Sequence, residues 1–406
     1  MPSRQGTTDG RTVYFHVGRF GHPFFQEQMR SAPKGFAYRT AESASAESAA
    51  PRRIALQGAR LRTVRGGLER AGIRGLSWSG YVRRRSLEPA PDGCSLIHSA
   101  QQLLRGSSLP YVLDFECVEV FCLYQRVALS RPWARRALLD ALCDERCRFL
   151  LPWSHAAGRG LETALGAQAA DRLRPKTVTV LPAIRPRATR PAQRPSGPLR
   201  VLFVGTAFEA KGGLEAIRAV RRVRATHDVV LDVVSDVPVR WREEIESTLA
   251  LTIHDWPAPA ARVKGLFQQA HLLLFPSHMD TLGFVMLEAM AHGIPVLASR
   301  HFAAAEIVED GVSGVVVEGE NPLYGEDGVC SFPHTLPPPR SFRRALASPS
   351  EAYVGRLAEA LARIAEEPEL HERLAAGALA RVTDGPLSMG RRREDLGQVY
   401  RRALAG

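Results

Sequence analysis

No apolar run in this sequence reaches the roughly 18 residues a membrane-spanning helix needs, so a helical membrane span is not expected. Met1 to Gly10 is polar and lacks the apolar stretch of a secretory signal, which makes the cytoplasm the expected compartment. Cysteine is sparse: Cys94, Cys117, Cys122, Cys143, Cys147 and Cys330 include no CxxC pair. Four of them fall between 117 and 147, which leaves a metal site open, but reduced and mostly buried thiols are the weightier reading for a cytosolic chain. Acid is scarce in one half only. Residues 1–198 hold 31 Lys and Arg against 15 Asp and Glu, whereas residues 200–406 hold 23 against 27. The net charge of +12 therefore comes entirely from the first half. Nucleic acid, an anionic lipid surface and acidic acceptors are the partners such charge would suit, and a solvated Arg-rich surface explains it equally well. No aromatic-basic motif accompanies the charge, which counts against nucleic acid.

What is present is a globular chain. Hydrophobic residues make up 45% and charged residues 24%, and 406 residues suffice for two or three domains with cores of their own. Ala183 to Pro198, AIRPRATRPAQRPSGP, has four prolines and no apolar periodicity, the composition of a semi-rigid linker. Thr40–Arg53 and Gly319–Ser350 read as a loop and a surface insertion. Beyond the linker, short apolar runs alternate with helical patterns. Strands are expected at Leu199–Val204, Val229–Val234, Leu251–His254, His271–Pro276, Pro295–Ser299 and Gly314–Glu318. Helices are expected between them, which predicts a parallel sheet covered on both faces. The first half alternates more weakly, with strands expected at Thr12–Val17, Ser95–His98, Val112–Phe115, Phe149–Leu151 and Val178–Leu181. The expected division is a first domain over 1–182, the linker over 183–198, a second domain over 199–390, and a last helix over 391–406 placed to pack back on the first.

Two loops of the second half are chemically equipped, and both lie where open α/β sheets bind ligands. In Gly205-Thr206-Ala207-Phe208-Glu209-Ala210-Lys211-Gly212-Gly213 a strand ends and a helix begins. Lys211 adds a point charge beside backbone N–H groups that already favour an anion. A turn followed by a solvated lysine is the bland alternative. In Pro276-Ser277-His278-Met279-Asp280-Thr281-Leu282-Gly283-Phe284-Val285-Met286-Leu287-Glu288 two carboxylates stand eight positions apart. Gly283 between them permits close approach of a ligand, and the helix that follows offers amides to a diphosphate. Asp280 and Glu288 would accept hydrogen bonds from sugar and ribose hydroxyls. A carboxylate set among Val285, Met286, Leu287, Ala289 and Met290 is expected to have a partner.

FPSHMDTLGFVMLEAMAHGIPVLAS resembles the signature of the retaining glycosyltransferases of the GT-B fold, often called family 4, and LFVGTAFEAKGG resembles their strand, loop and helix. The likeness covers residues 199–318. It implies an α/β protein of two Rossmann-like domains facing a cleft, a nucleotide-sugar donor held by the second domain, and a glycan, lipid-linked or small-molecule acceptor held by the first. It implies no cofactor and no protein-bound metal. By resemblance, Glu288 would hold the ribose, Asp280 the sugar hydroxyls, and Gly283, Phe284 and Val285 the diphosphate through their amides. Lys211 matches the family lysine, next to Gly205. Thr206 stands where the family has Arg, which removes a charge from the leaving-group clamp; Arg19, in a glycine-containing loop, is a candidate replacement. His98, Asp114 and Glu116 are candidates for the acceptor side. The activity implied is hexosyl or related transfer with retention, at the inner face of the membrane if the basic half docks there. Arg83-Arg84-Arg85 with Trp78 and Tyr81 are the local candidates for docking. A phosphorylase would need a cofactor lysine or phosphate pocket that no motif supplies. A degenerate, non-catalytic scaffold is the alternative, favoured by Thr206 and by Asp280 in place of Glu.

Overall fold

The computed structural model describes residues 11–17, 23–40, 84–86, 90–122, 129–194, 197–246, 250–254, 256–320 and 344–405. Arg19, Trp78, Tyr81, Arg83 and Cys330 lie outside them, and of Arg84 and Arg85 only the backbone is described.

The first domain contains strands β1 (Arg11–Val17), β2 (Phe36–Arg39), β3 (Arg84–Ser86), β4 (Cys94–Ala100), β5 (Leu103–Arg105), β6 (Tyr111–Phe115) and β7 (Cys147–Pro152). Its helices are α1 (Pro23–Met29), α2 (Pro132–Leu142), α3 (His155–Leu165) and α4 (Ala167–Leu173). The main sheet runs β2-β1-β4-β6-β7, all parallel, with β3 and β5 paired apart from it. Leaving out that ribbon, this is the doubly wound order 2-1-3-4-5. β6, YVLDF, is buried at every position, as a central strand covered on both faces must be. The stretch Val178–Leu181, expected as a strand, only begins to pair: Val178 and Val180 donate to Leu150 and Pro152 of β7, and proline at 182 stops the ladder.

The second domain comprises β8 (Leu199–Val204), α5 (Gly213–Val223), β9 (Val229–Val234), α6 (Val239–Glu246), β10 (Leu251–His254), α7 (Ala260–Gln269), β11 (Leu272–Phe275), α8 (Phe284–Ala291), β12 (Val296–Arg300), α9 (Ala304–Ile307), β13 (Gly314–Glu318), α10 (Glu351–Glu366) and α11 (Pro368–Thr383). Its parallel sheet has the order β10-β9-β8-β11-β12-β13, so the direction of winding reverses between β8 and β11. The central strand β11 is apolar throughout because both of its faces are covered. Leu273 and Phe275 enter one core layer, Leu272 and Leu274 the other, and all four are buried.

The linker does not float. Arg187 and Ala188 donate backbone N–H groups to Ala291, and Ala192 donates to Gly293, so the segment lies on the second domain. The chain then returns. In α12 (Met389–Ala405), Leu396, Val399, Tyr400 and Ala403 pack with Val13, Leu96, Val112, Phe149, Leu151 and Val180 of the first domain. The last helix thus completes a core to which the first half contributes the sheet.

Candidate active site

The crevice beyond the carboxyl ends of β8 and β11 is where this winding order places a ligand. The two loops that form it touch. Gly212 has φ +78°, and a Cβ there would lie 2.0 Å from Pro276 O, so only glycine permits the approach. Lys211 Nζ donates to Met279 O and to Asp280 Oδ2, both at 2.6 Å. Asp280 Oδ1 accepts from the Gly283 N–H at 3.0 Å. Burial alone would raise the Asp280 carboxyl, but the Lys211 charge and hydrogen bond, with His301 and the Gly283 amide, outweigh it and hold the group below the ordinary aspartate range. Asp280 is therefore ionised at neutral pH. Burial drives the neighbouring His301 down to about 4, so that ring is neutral there, and its Nδ1–H donates to Ser299 O at 3.1 Å.

Gly283 caps α8 with φ +77°, a left-handed turn that aims the first-turn amides of Phe284 and Val285 along the helix axis. Glu288 lies one turn further, exposed, and among the described residues its carboxylate has no hydrogen-bond partner. The partner expected from its apolar neighbours is absent because α8 turns those neighbours inward and Glu288 outward. Its carboxyl is raised above the usual range, chiefly because surrounding chain desolvates it; Arg187 opposes this and Glu27 adds to it. Thr206 is exposed at the mouth of the crevice, and Gly205 packs against the Lys211 stem, a Cβ there falling 3.0 Å from Lys211 Cγ.

Among the described residues the first domain reaches this crevice through several contacts. Phe284 packs against Phe24 and Trp153, with centroids 5.4 and 5.6 Å away. Thr281, next to Asp280, donates its hydroxyl to Glu116 Oε2 at 3.0 Å. Glu306 of α9 accepts from the backbone N–H groups of His155 and Ala156 at 2.6 and 2.7 Å, a carboxylate on the positive end of α3. Of the residues expected on the acceptor side, Glu116 is thus brought to the loop that carries Asp280. His98 and Asp114 are not: both are completely buried. His98 Nδ1 meets Tyr400 Oη at 2.7 Å, its Nε2 lies 3.1 Å from Asp114 Oδ2, and Arg392 reaches the same oxygen at 3.3 Å. Their positions on two adjacent central strands put them inside the domain, so they hold α12 and no acceptor role is assigned to them. Thr281 lies within the quoted signature but carries no role there, and Glu306 lies in no motif; only the pairing of domains reveals them.

Residues 198–326 match the family described as Glycosyl transferases group 1. The D-inositol 3-phosphate glycosyltransferase of Acidothermus cellulolyticus is 31% identical over 189 residues, 42% of this chain and 42% of that protein. The enzyme of the same name from Arthrobacter sp. strain FB24 is 27% identical over 147 residues, 34% of this chain and 35% of that protein. The chain thus spans well under half the length of these curated relatives. Over nearly the whole chain the fold is similar to Anabaena HepE in complex with UDP, with TM-score 0.59 and 13% identity, covering 96% of this chain and 99% of that one. It is similar also to a glycosyltransferase from Rickettsia africae ESF-5, with TM-score 0.57 and 12% identity over 98% and 99% of the two chains. At such identities the likeness is one of fold. The chain therefore has the GT-B fold of two Rossmann-like domains, and residues 198–326 of its second domain match the glycosyl transferases group 1.

Proposed function

We propose that this protein moves a sugar from a nucleoside diphosphate sugar to a hydroxyl acceptor, with retention at the anomeric carbon and without a protein-bound metal. The observation that carries the reading is the Lys211–Asp280 pair at the touching loops, flanked by the start of α8 and the exposed Glu288 carboxylate. Two of the three Lys211 N–H bonds are used by Met279 and Asp280, which leaves one for a phosphate oxygen. The first-turn amides of α8 add donors at the positive helix end. Together they stabilise charge that develops on the departing diphosphate. Asp280 and Glu288 accept from sugar and ribose hydroxyls. The acceptor hydroxyl attacks on the face from which the diphosphate leaves, and the departing phosphate oxygen takes its proton. The names of the curated relatives agree with glycosyl transfer, and the UDP bound to Anabaena HepE agrees with a sugar-nucleotide donor.

The acceptor, a glycan, a lipid-linked molecule or a small molecule, meets the first domain. That domain docks on anionic lipid. On α2 the exposed Trp133 stands beside Arg131, Arg135 and Arg136, an aromatic ring among cations. Among the described residues no helix is long and apolar enough to cross a membrane. Co-sedimentation with anionic but not zwitterionic vesicles, lost at high salt, is the expected outcome, and indifference to anionic vesicles contradicts it.

A second reading, a binding or scaffold protein without turnover, draws on Thr206, exposed where the family has Arg. Release of nucleotide from UDP-, GDP- and ADP-sugars in the presence of EDTA separates the two. Turnover of one donor is expected. Binding without turnover favours the scaffold, and activity lost in EDTA and restored by manganese overturns the metal-free mechanism.

A further inference from the structure

Beneath the two loops lies a buried polar pair that the donor reading does not use. His278 follows β11 by three residues and precedes Asp280 by two. Glu215 stands in the first turn of α5, four residues after Lys211. His278 Nε2 lies 2.6 Å from Glu215 Oε1, with the side chains 7% and 1% exposed. The backbone N–H of His278 donates to Ala210 O at 3.0 Å, so the same residue also grips the neighbour of Lys211. The surroundings are apolar: Leu214 and Ile217 are buried on either side of Glu215, and the Tyr353 ring meets His278 nearly edge-on at 5.6 Å. Among the described residues the second carboxylate oxygen of Glu215 is buried without a hydrogen-bond partner.

Stability alone does not explain such a pair. Two well-packed apolar residues commonly hold a core as firmly as a buried ion pair or better. What apolar packing does not supply is direction. A short hydrogen bond fixes the rotation of the His278 ring, and with it the path of residues 276–280, relative to α5. The Lys211–Asp280 geometry is built on those two segments. Displacing a positioned group by about 1 Å can cost on the order of a hundredfold in rate.

We infer that His278 and Glu215 are positioning residues that set Lys211 against Asp280 for the departing diphosphate; this rests on the donor-site reading. Neither residue touches the substrate, and both act through Lys211.

The test is a mutant cycle on the full chain: wild type, Lys211→Ala, the double replacement Glu215→Leu with His278→Leu, and all three changes together. Each is measured by Tm, by binding of UDP, GDP and ADP, and by kcat and KM on UDP-glucose, GDP-mannose and ADP-glucose. The apolar double replacement should keep Tm within a few degrees and KM within about threefold, while kcat falls about tenfold or more. In the Lys211→Ala background the same double replacement should change kcat less than about twofold. Glu215→Gln, which keeps an acceptor for the imidazole, should retain most of the wild-type kcat. Wild-type kcat in the apolar double replacement overturns the inference, as does an equal fold-loss in both backgrounds. If the double replacement does not fold, His278→Gln enters the cycle under the same requirement. A wild type that binds and turns over none of these nucleotides overturns the donor-site reading instead.

Discussion

The two domains share one architecture and use the carboxyl ends of their central strands in opposite ways. In the second domain those ends carry open loops, with Lys211 and Asp280 about a fifth exposed and Glu288 facing water. In the first domain the equivalent places are filled by the chain itself. His98 of β4 and Asp114 of β6 face inward and are bonded to Tyr400 and Arg392 of α12. Arg392 also donates to Gln28 of α1 at 2.8 Å and to the carbonyls of Val180 and Leu181 at 2.9 and 2.7 Å. Burial pulls its guanidinium below the ordinary range, and Asp114 opposes that pull. The same fold thus leaves polar groups open to the crevice in one domain and uses them to anchor the last helix in the other.

Substitutions sharpen this contrast. Arg392→Met leaves Asp114 buried without its cation and should cost about 3–5 kcal/mol of stability by denaturant unfolding. A loss below about 1 kcal/mol would mean the network is not what holds α12. Lys211→Ala leaves the partly exposed Asp280 without its cation and should cost less, about 1 kcal/mol, while turnover falls on the order of a hundredfold or more. Equal turnover would reduce the lysine to a solvated charge.

Acid should act through the second domain. His271 and His301 are each lowered by burial from 6.5 to about 4. Between those values the unfolded chain binds more protons than the folded one, so stability is full above pH 6.5 and is lost as pH falls through the window, on the order of 3 kcal/mol per group. Tm measured from pH 7.5 to 4.5 checks this. His271→Asn keeps an acceptor for the Arg200 N–H, now 3.1 Å from His271 Nδ1, and should flatten part of the fall. The smallest effect on the fold is expected at Glu288. Its folded value is raised, so its charge costs stability above the unfolded value, and Glu288→Gln should stabilise by less than about 1 kcal/mol at pH 7. The same change should weaken nucleotide binding about tenfold, or roughly 1.4 kcal/mol. A mutant both less stable and equally tight in binding would contradict the placement of Glu288 at the ligand.

The contrast also explains what was legible in the sequence. In the second domain β8, β9, β10 and β13 fall at the expected residues: β8 and β9 are mostly buried and read as apolar runs, while the edge strands β10 and β13 are marked by β-branched and apolar residues between helical patterns. The Lys211 and Asp280 loops were legible because polar residues and glycines interrupt an otherwise apolar pattern there. In the first domain β2 (Phe36–Arg39) alternates half-buried and exposed residues at the sheet edge and gave no run to see. His98 and Asp114 looked like ligand-facing residues because nothing local shows that a helix about 300 residues away supplies their partners. Glu215 was hidden in the same way, since its partner His278 lies 63 positions on.

The most direct test is hydrogen exchange of the full chain with and without UDP, GDP and ADP, at a hundred times the dissociation constant of whichever binds. One nucleotide should slow exchange in the segments 205–213 and 280–288, and Glu288→Gln should diminish that protection. Protection confined to the first domain, or none with any of the three, would contradict a nucleotide-sugar site at the junction of β8 and β11.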